Sequence, residues 1–130
     1  MVDAPVILVV EDDVEMNELQ RELLAIHGID SLPAYSGKEA VELFSQKHID
    51  GILLDLMMPE MDGFEACRCI RKISTNPGLP IIMITAMGAE ASTQEGYEAG
   101  VDAFFVKPFS PAKIVETLQT LLKKNKSENS

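Results

Sequence analysis

The chain has 130 residues, 46% hydrophobic and 25% charged, enough for one domain with a real core and too few for two. Its net charge of −10 repels phosphate backbones, so no nucleic-acid partner is expected. No apolar run approaches the ~18 residues of a membrane span, and Met1 to Pro5 carries no basic n-region and no long apolar stretch, which predicts a cytoplasmic protein away from membranes.

Five short apolar runs alternate with amphipathic stretches. Val6–Val10 reads as the first buried strand, and Leu19, Leu23 and Ile26 mark the expected inward face of the helix that follows, stopped by Gly28. Asp30–Ala34 is a weaker strand. Pro33 inside it places it at a sheet edge. The second helix runs from about Gly37 to Lys47, with Ser36 as N-cap and Val41 and Phe44 inward. Gly51–Leu54 is the third strand, and a helix from near Asp62 buries Phe64, Cys67 and Ile70.

Ile81–Ile84 is the fourth strand. The helix after it, about Glu90 to Ala99, is the least regular, with Gly96 in its middle and Gly100 at its end. Ala103–Val106 is the fifth strand. Ser110 and Pro111 then give a strong N-terminal signal for a last helix with Ile114, Leu118, Leu121 and Leu122 inward. Residues 1–124 form the expected domain. The polar stretch from Lys123 is expected to fray, leaving 125–130 as a tail.

Strand and helix repeated five times predict an α/β fold, a doubly wound parallel sheet with helices on both faces. Cys67 and Cys69, two apart on one helix, point to different faces and are expected to stay reduced. His27 and His48 fall near helix ends, where an imidazole favours the negative terminus.

Ligands of such sheets bind beyond the carboxyl ends of the strands. At those ends stand Glu11, Asp12 and Asp13 after the first strand, Asp55 at the third, Thr85 at the fourth, and Lys107 with Pro108 at the fifth. Any one of them alone reads as a cap or turn residue; their convergence on one edge does not. Carboxylates so close need a cation. An oxygen-only donor set suits Mg²⁺ or Mn²⁺, which couples carboxylates to phosphate oxygens and so points to phosphoryl chemistry.

Val-Val-Glu-Asp-Asp, Leu-Leu-Asp-Leu-Met-Met-Pro-Glu-Met-Asp-Gly, Ile-Thr-Ala and Val-Lys-Pro-Phe resemble the signature segments of response-regulator receiver domains of two-component signalling systems. They occur in that family's order and spacing, from Val6 to about Leu122. The resemblance implies the flavodoxin-like strand order 2-1-3-4-5. It implies that Asp55 accepts a phosphoryl group from a histidine kinase or a histidine phosphotransfer protein. Asp12 would then hold Mg²⁺ directly, Glu11 through water, and the Met57 backbone carbonyl would add a ligand. Thr85 and Lys107 would contact the phosphoryl group, with Phe104 as the switch aromatic and Lys107–Pro108 a cis bond. Met57 and Met87 would flank the site and set the lifetime of the acyl phosphate. The downstream protein target would meet the face made by the fourth helix, fifth strand and fifth helix. Thr117 stands where the DNA-binding subfamily carries an interface arginine in its last helix, which argues against that subfamily's dimer.

Two other functions share parts of this pattern. An aspartate-nucleophile phosphatase of the haloacid dehalogenase kind needs a second acid two residues after the nucleophile, where this chain has Met57. A flavodoxin-like flavin binder needs a glycine- and hydroxyl-rich loop after the first strand, where this chain has Glu11-Asp12-Asp13. No output domain is legible after the last helix, which leaves a free-standing regulator and a piece of a longer regulator or hybrid kinase equally open.

Overall fold

A computed structural model describes residues 4–86 and 89–128, with residues 89–93, 127 and 128 described by their backbone alone. The elements alternate without exception: β1 (Val6–Val10), α1 (Val14–Ile26), β2 (Asp30–Ala34), α2 (Gly37–Gln46), β3 (Gly51–Asp55), α3 (Gly63–Ile73), β4 (Ile81–Thr85), α4 (Ala89–Ala99), β5 (Ala103–Val106) and α5 (Pro111–Glu128). All pairings are parallel, and the strand order is β2-β1-β3-β4-β5.

Alternate strand side chains divide the core into two layers, as the pleat requires. Leu8, Val10, Ile52, Leu54, Ile81 and Met83 pack with α2, α3 and α4 through Ala40, Phe64, Cys67, Ile70 and Ala99. Ile7, Val9, Leu53, Ile82 and Ile84 face the other way, toward Leu24 of α1 and Ile114, Val115 and Leu118 of α5. β1, β3 and β4 therefore read as unbroken apolar runs because both their faces are covered. β2, with Pro33, is an edge strand as expected.

Local chemistry starts α1, α2, α3 and α5 where the sequence signals it. Asp13 caps α1 by accepting from Met16 N, Ser36 caps α2 from Glu39 N, and Asp62 caps α3 from Glu65 N. Ser110 Oγ lies 3.4 Å from Lys113 N at the start of α5. Gly28 and Gly100 end α1 and α4 at φ 74° and 106°, a backbone region that favours glycine.

Three expectations need correction. In α1, Leu19 and Ile26 are 59% and 79% exposed, while Asn17, Gln20 and Leu24 are buried. The helix docks on an amide-bearing face because three carbonyls at the strand ends require a donor there, and Leu23 only flanks the core. α5 runs to Glu128 instead of fraying after Leu122. Lys123, Lys124 and Lys126 favour helix, and their charge suits its negative end. His48 does not cap α2, whose C-cap is Lys47. Its Nε2 lies 2.8 Å from Asp50 Oδ1 instead, whereas His27 is the C-cap of α1 with Nδ1 3.0 Å from Leu23 O.

Gly96, an apparent flaw in α4, makes room for the Phe104 ring: a Cβ there would lie 1.9 Å from Phe104 Cζ. Tyr97 meets the same ring edge-on, centroids 5.6 Å apart. Arg71 of α3 anchors the far end of α4. Its Nε and Nη2 donate to Gly100 O at 3.0 and 2.6 Å, and Nη2 also reaches Asp102 Oδ2 at 3.1 Å.

Gly63 is the tightest backbone approach near the end of β3. A Cβ on it would meet Asp55 O at 2.7 Å and Leu56 Cα at 2.8 Å. Gly63→Ala is expected to lower stability by about 2–3 kcal/mol, because the obstruction is main chain and cannot rotate away. Urea denaturation of the two proteins measures the difference.

Candidate functional site

β1 and β3 are neighbours, with Val10 opposite Leu54. The next residues, Glu11 and Asp55, thus emerge side by side where the chain crosses from one side of β1 to the other, the crevice such sheets offer to ligands. Carboxylate oxygens of Glu11, Asp12 and Asp55 lie within 4.8 Å of one another. Glu11 and Asp55 are buried and Asp12 is exposed.

Lys107 is the cation at this edge. Its Nζ lies 3.2 Å from Glu11 Oε1 and 3.7 Å from Asp55 Oδ2. Its own backbone N–H donates to Thr85 O at 2.8 Å, which ties the ends of β4 and β5 together. The Lys107–Pro108 peptide is cis, as the resemblance implies. Backbone amides share the task of holding the acids: Asp13 N donates to Glu11 Oε2 at 3.3 Å and Met57 N to Asp55 Oδ1 at 3.2 Å. Thr85 is fully buried at the end of β4.

The charge balance is incomplete. Burial, then the neighbouring Asp55 carboxylate, pushes Glu11 above the ordinary glutamate value. Asp12 is raised too, by partial desolvation and then by Glu11. Lys107 is pulled down by its own burial, but Asp55 and Glu11 outweigh this and hold it above 10.5. An acid with a raised folded-state pKa binds protons more readily folded than unfolded, so its contribution to stability declines as pH rises through that window. For Glu11 and Asp12 the window opens at the ordinary values of 4.5 and 3.8. The lysine works in the same sense in a higher window: its pairing contributes at neutral pH and is lost as pH rises above its ordinary value. Three oxygen donors with one lysine between them fit a hard divalent cation.

Glu11, Asp12, Asp55, Thr85 and Lys107 fall at this edge, at the carboxyl ends of β1, β3, β4 and β5. Phe104 is partly buried against Gly96 and Tyr97, two strands from Asp55. Met57 is 56% exposed, next but one to Asp55, and Met87 lies outside the described residues. One residue the sequence reading missed is Asn17, fully buried beneath the acid pair with its amide on the carbonyls of Val9, Glu11 and Ala34. The available signal was an asparagine four residues after a helix cap, which hydropathy alone scores as solvent-facing.

Comparison with known proteins agrees with this geometry. The response regulator receiver domain profile matches residues 7–119. The chain is 43% identical over 118 residues to the transcriptional regulatory protein ResD of Bacillus subtilis, covering 91% of this chain and 48% of ResD. It is 36% identical over 121 residues to the probable transcriptional regulator ycf27 of Cyanophora paradoxa, covering 93% of this chain and 49% of that protein. It therefore spans about half the length of these curated relatives. Among solved structures, a CheY-like receiver domain from Methanospirillum hungatei superposes with TM-score 0.89 at 25% identity, covering 96% of this chain and 98% of that one. The receiver domain of the sensor histidine kinase PA1611 from Pseudomonas aeruginosa, with a magnesium ion in its active-site cleft, superposes with TM-score 0.83 at 28% identity, covering 92% and 98%. With its five parallel strands in the flavodoxin-like order and its acids gathered at their carboxyl ends, this chain belongs to the response regulator receiver domain family.

Proposed function

We propose that the chain is a phosphorylation switch in which Asp55 is the acceptor. The observation that carries this reading is the placement of the Lys107 ammonium between Glu11 and Asp55, at 3.2 and 3.7 Å, with Asp12 beside them. The donor would be the phosphohistidine of a histidine kinase or a histidine phosphotransfer protein. Asp12, Glu11, Asp55 and the Met57 carbonyl would hold Mg²⁺, or Mn²⁺ in its place. When bound, the ion would supply positive charge against the phosphoryl oxygens.

Asp55 attacks phosphorus, forming the O–P bond of an acyl phosphate while the P–N bond to the donor imidazole breaks. Phosphoryl transfer has a loose transition state, so the chain's task is positioning and charge. Lys107 is already oriented on Asp55 and can follow the charge onto the transferred group, and the Thr85 hydroxyl can bond one of its oxygens. The domain accelerates its own phosphorylation and slow dephosphorylation but turns over no separate substrate. The phosphatase and flavin alternatives are less well supported: Met57 occupies the position of the required second acid, and acids fill the loop where a phosphate cradle would be.

Acetyl phosphate with Mg²⁺ is expected to add one phosphoryl mass to the intact protein and none to Asp55→Asn. Equal labelling of both would overturn the acceptor assignment. Decay of the label in the same samples tests the exposed Met57 as a shield against in-line water. Met57→Asn is expected to shorten the lifetime several-fold, each tenfold being ~1.4 kcal/mol of barrier.

The metal reading predicts opposite effects of one substitution in two conditions. Without Mg²⁺, Asp12→Asn relieves repulsion and raises Tm by ~2 °C, a small gain because Asp12 is exposed. With Mg²⁺ at ten times its Kd, the wild type gains about 1.4 kcal/mol, or ~5 °C, and Asp12→Asn loses most of that gain. A wild-type melting curve indifferent to millimolar Mg²⁺ would refute the site.

The output face would be α4, β5 and α5, where a downstream protein binds. Movement of Thr85 toward the phosphoryl group is proposed to free Phe104 to turn inward from Gly96 and Tyr97, a two-state equilibrium biased by the modification. Beryllofluoride is expected to shift the amide resonances of Gly96, Tyr97 and Val106 as well as those near Asp55. Shifts confined to the loops around Asp55 would exclude propagation to that face.

A further inference from the structure

We propose that Asn17 is a positioning residue for the acid pair: its buried amide fixes the peptide plane between Glu11 and Asp12, and so the direction in which both carboxylates face Asp55. The inference rests on the divalent-cation reading above and extends it to a residue that would touch neither the ion nor the phosphoryl group.

Asn17 is fully buried in the first turns of α1. Its Nδ2 lies 3.1 Å from each of three main-chain oxygens, those of Val9, Glu11 and Ala34. Its Oδ1 accepts from Arg21 Nε at 2.9 Å, which decides which end of the amide faces the carbonyls. Two amide hydrogens thus serve three acceptors, and one of these, Ala34 O, already accepts from Glu11 N at 3.0 Å.

Both sides of Glu11 are therefore held, its N–H by β2 and its C=O by Asn17. The C=O is the one that matters for the site. It lies in the peptide plane joining Glu11 to Asp12, so turning it swings the Cα–Cβ bonds of both acids. Convergent carbonyls repel one another, and without a buried donor they would turn apart or admit water. Residues one step removed from an ion commonly change its affinity 10–100-fold.

A purely structural asparagine would affect stability and leave cation affinity alone, which separates the two roles. Mg²⁺ affinity is measured on the full chain by calorimetry, alongside Tm, for wild type, Asn17→Ala and Leu24→Ala. Leu24 is an equally buried residue of the same helix, packed in the apolar layer. Asn17→Ala is expected to lower Tm and to raise the Mg²⁺ Kd about 10-fold. Leu24→Ala should lower Tm and leave Kd unchanged. An unchanged Kd in Asn17→Ala, or an equal rise in Leu24→Ala, overturns the inference while leaving the cation site standing. No Mg²⁺ binding by the wild type overturns the cation reading, and this inference with it. Should Asn17→Ala fail to fold, Arg21→Met keeps the amide in place but removes the group that orients it. It is expected to weaken Mg²⁺ in the same direction, by less, and an unchanged Kd there also overturns the inference.

Discussion

Crowding of like charge at one end of a buried sheet is the constraint from which the rest of the arrangement follows. Glu11, Asp12 and Asp55 share a space 4.8 Å across in a protein of net charge −10, so no excess of cations elsewhere relieves them. The fold answers with the means available at strand ends. Backbone N–H groups of Asp13 and Met57 point at the carboxylates, and Lys107 arrives from β5 across the width of two strands. The parallel order makes this possible, because every strand delivers its carboxyl end to the same edge. Glu11 remains raised above its ordinary value even so. A site left short of positive charge is one that a hard divalent cation fits.

Much of this was legible in the sequence because its signals are local. Apolar runs bounded by polar residues gave β1, β3 and β4, Pro33 gave the edge position of β2, and Ser36, Asp62 and Pro111 gave helix starts. The site residues were readable because strand ends are where such sheets keep their chemistry. What failed did so for non-local reasons. Leu19, Leu23 and Ile26 form the better apolar stripe on α1, yet the helix turns Asn17 and Gln20 inward. The deciding factor, carbonyls of Val9, Glu11 and Ala34 converging where β1 and β2 end, exists only once the strands are side by side. Gly96 likewise scores as a weakness within α4, and its meaning depends on a ring from β5 that sequence distance conceals.

Two kinds of interaction hold α4 along its C-terminal half. Its C-terminal end is bonded through Gly100 to the guanidinium of Arg71, and Asp102 just beyond also receives Ile81 N at 2.8 Å. Around Gly96 the contact is ring packing against a bare backbone. Directional bonds to a charged group resist displacement more than a van der Waals seat does. A rearrangement of this helix would thus pivot near Gly100 more easily than it would translate.

β2 has a consequence of its own as the sheet's outer strand. An open strand edge is a template for a second chain, and long regular edges invite aggregation. β2 is only five residues long, opens with the charged Asp30, and has Pro33, which lacks an N–H, one residue from its end. An incoming strand would find neither the length nor the unbroken row of donors that ladder growth requires. Both features set the outer edge of this sheet against the irreversible association that open strands invite.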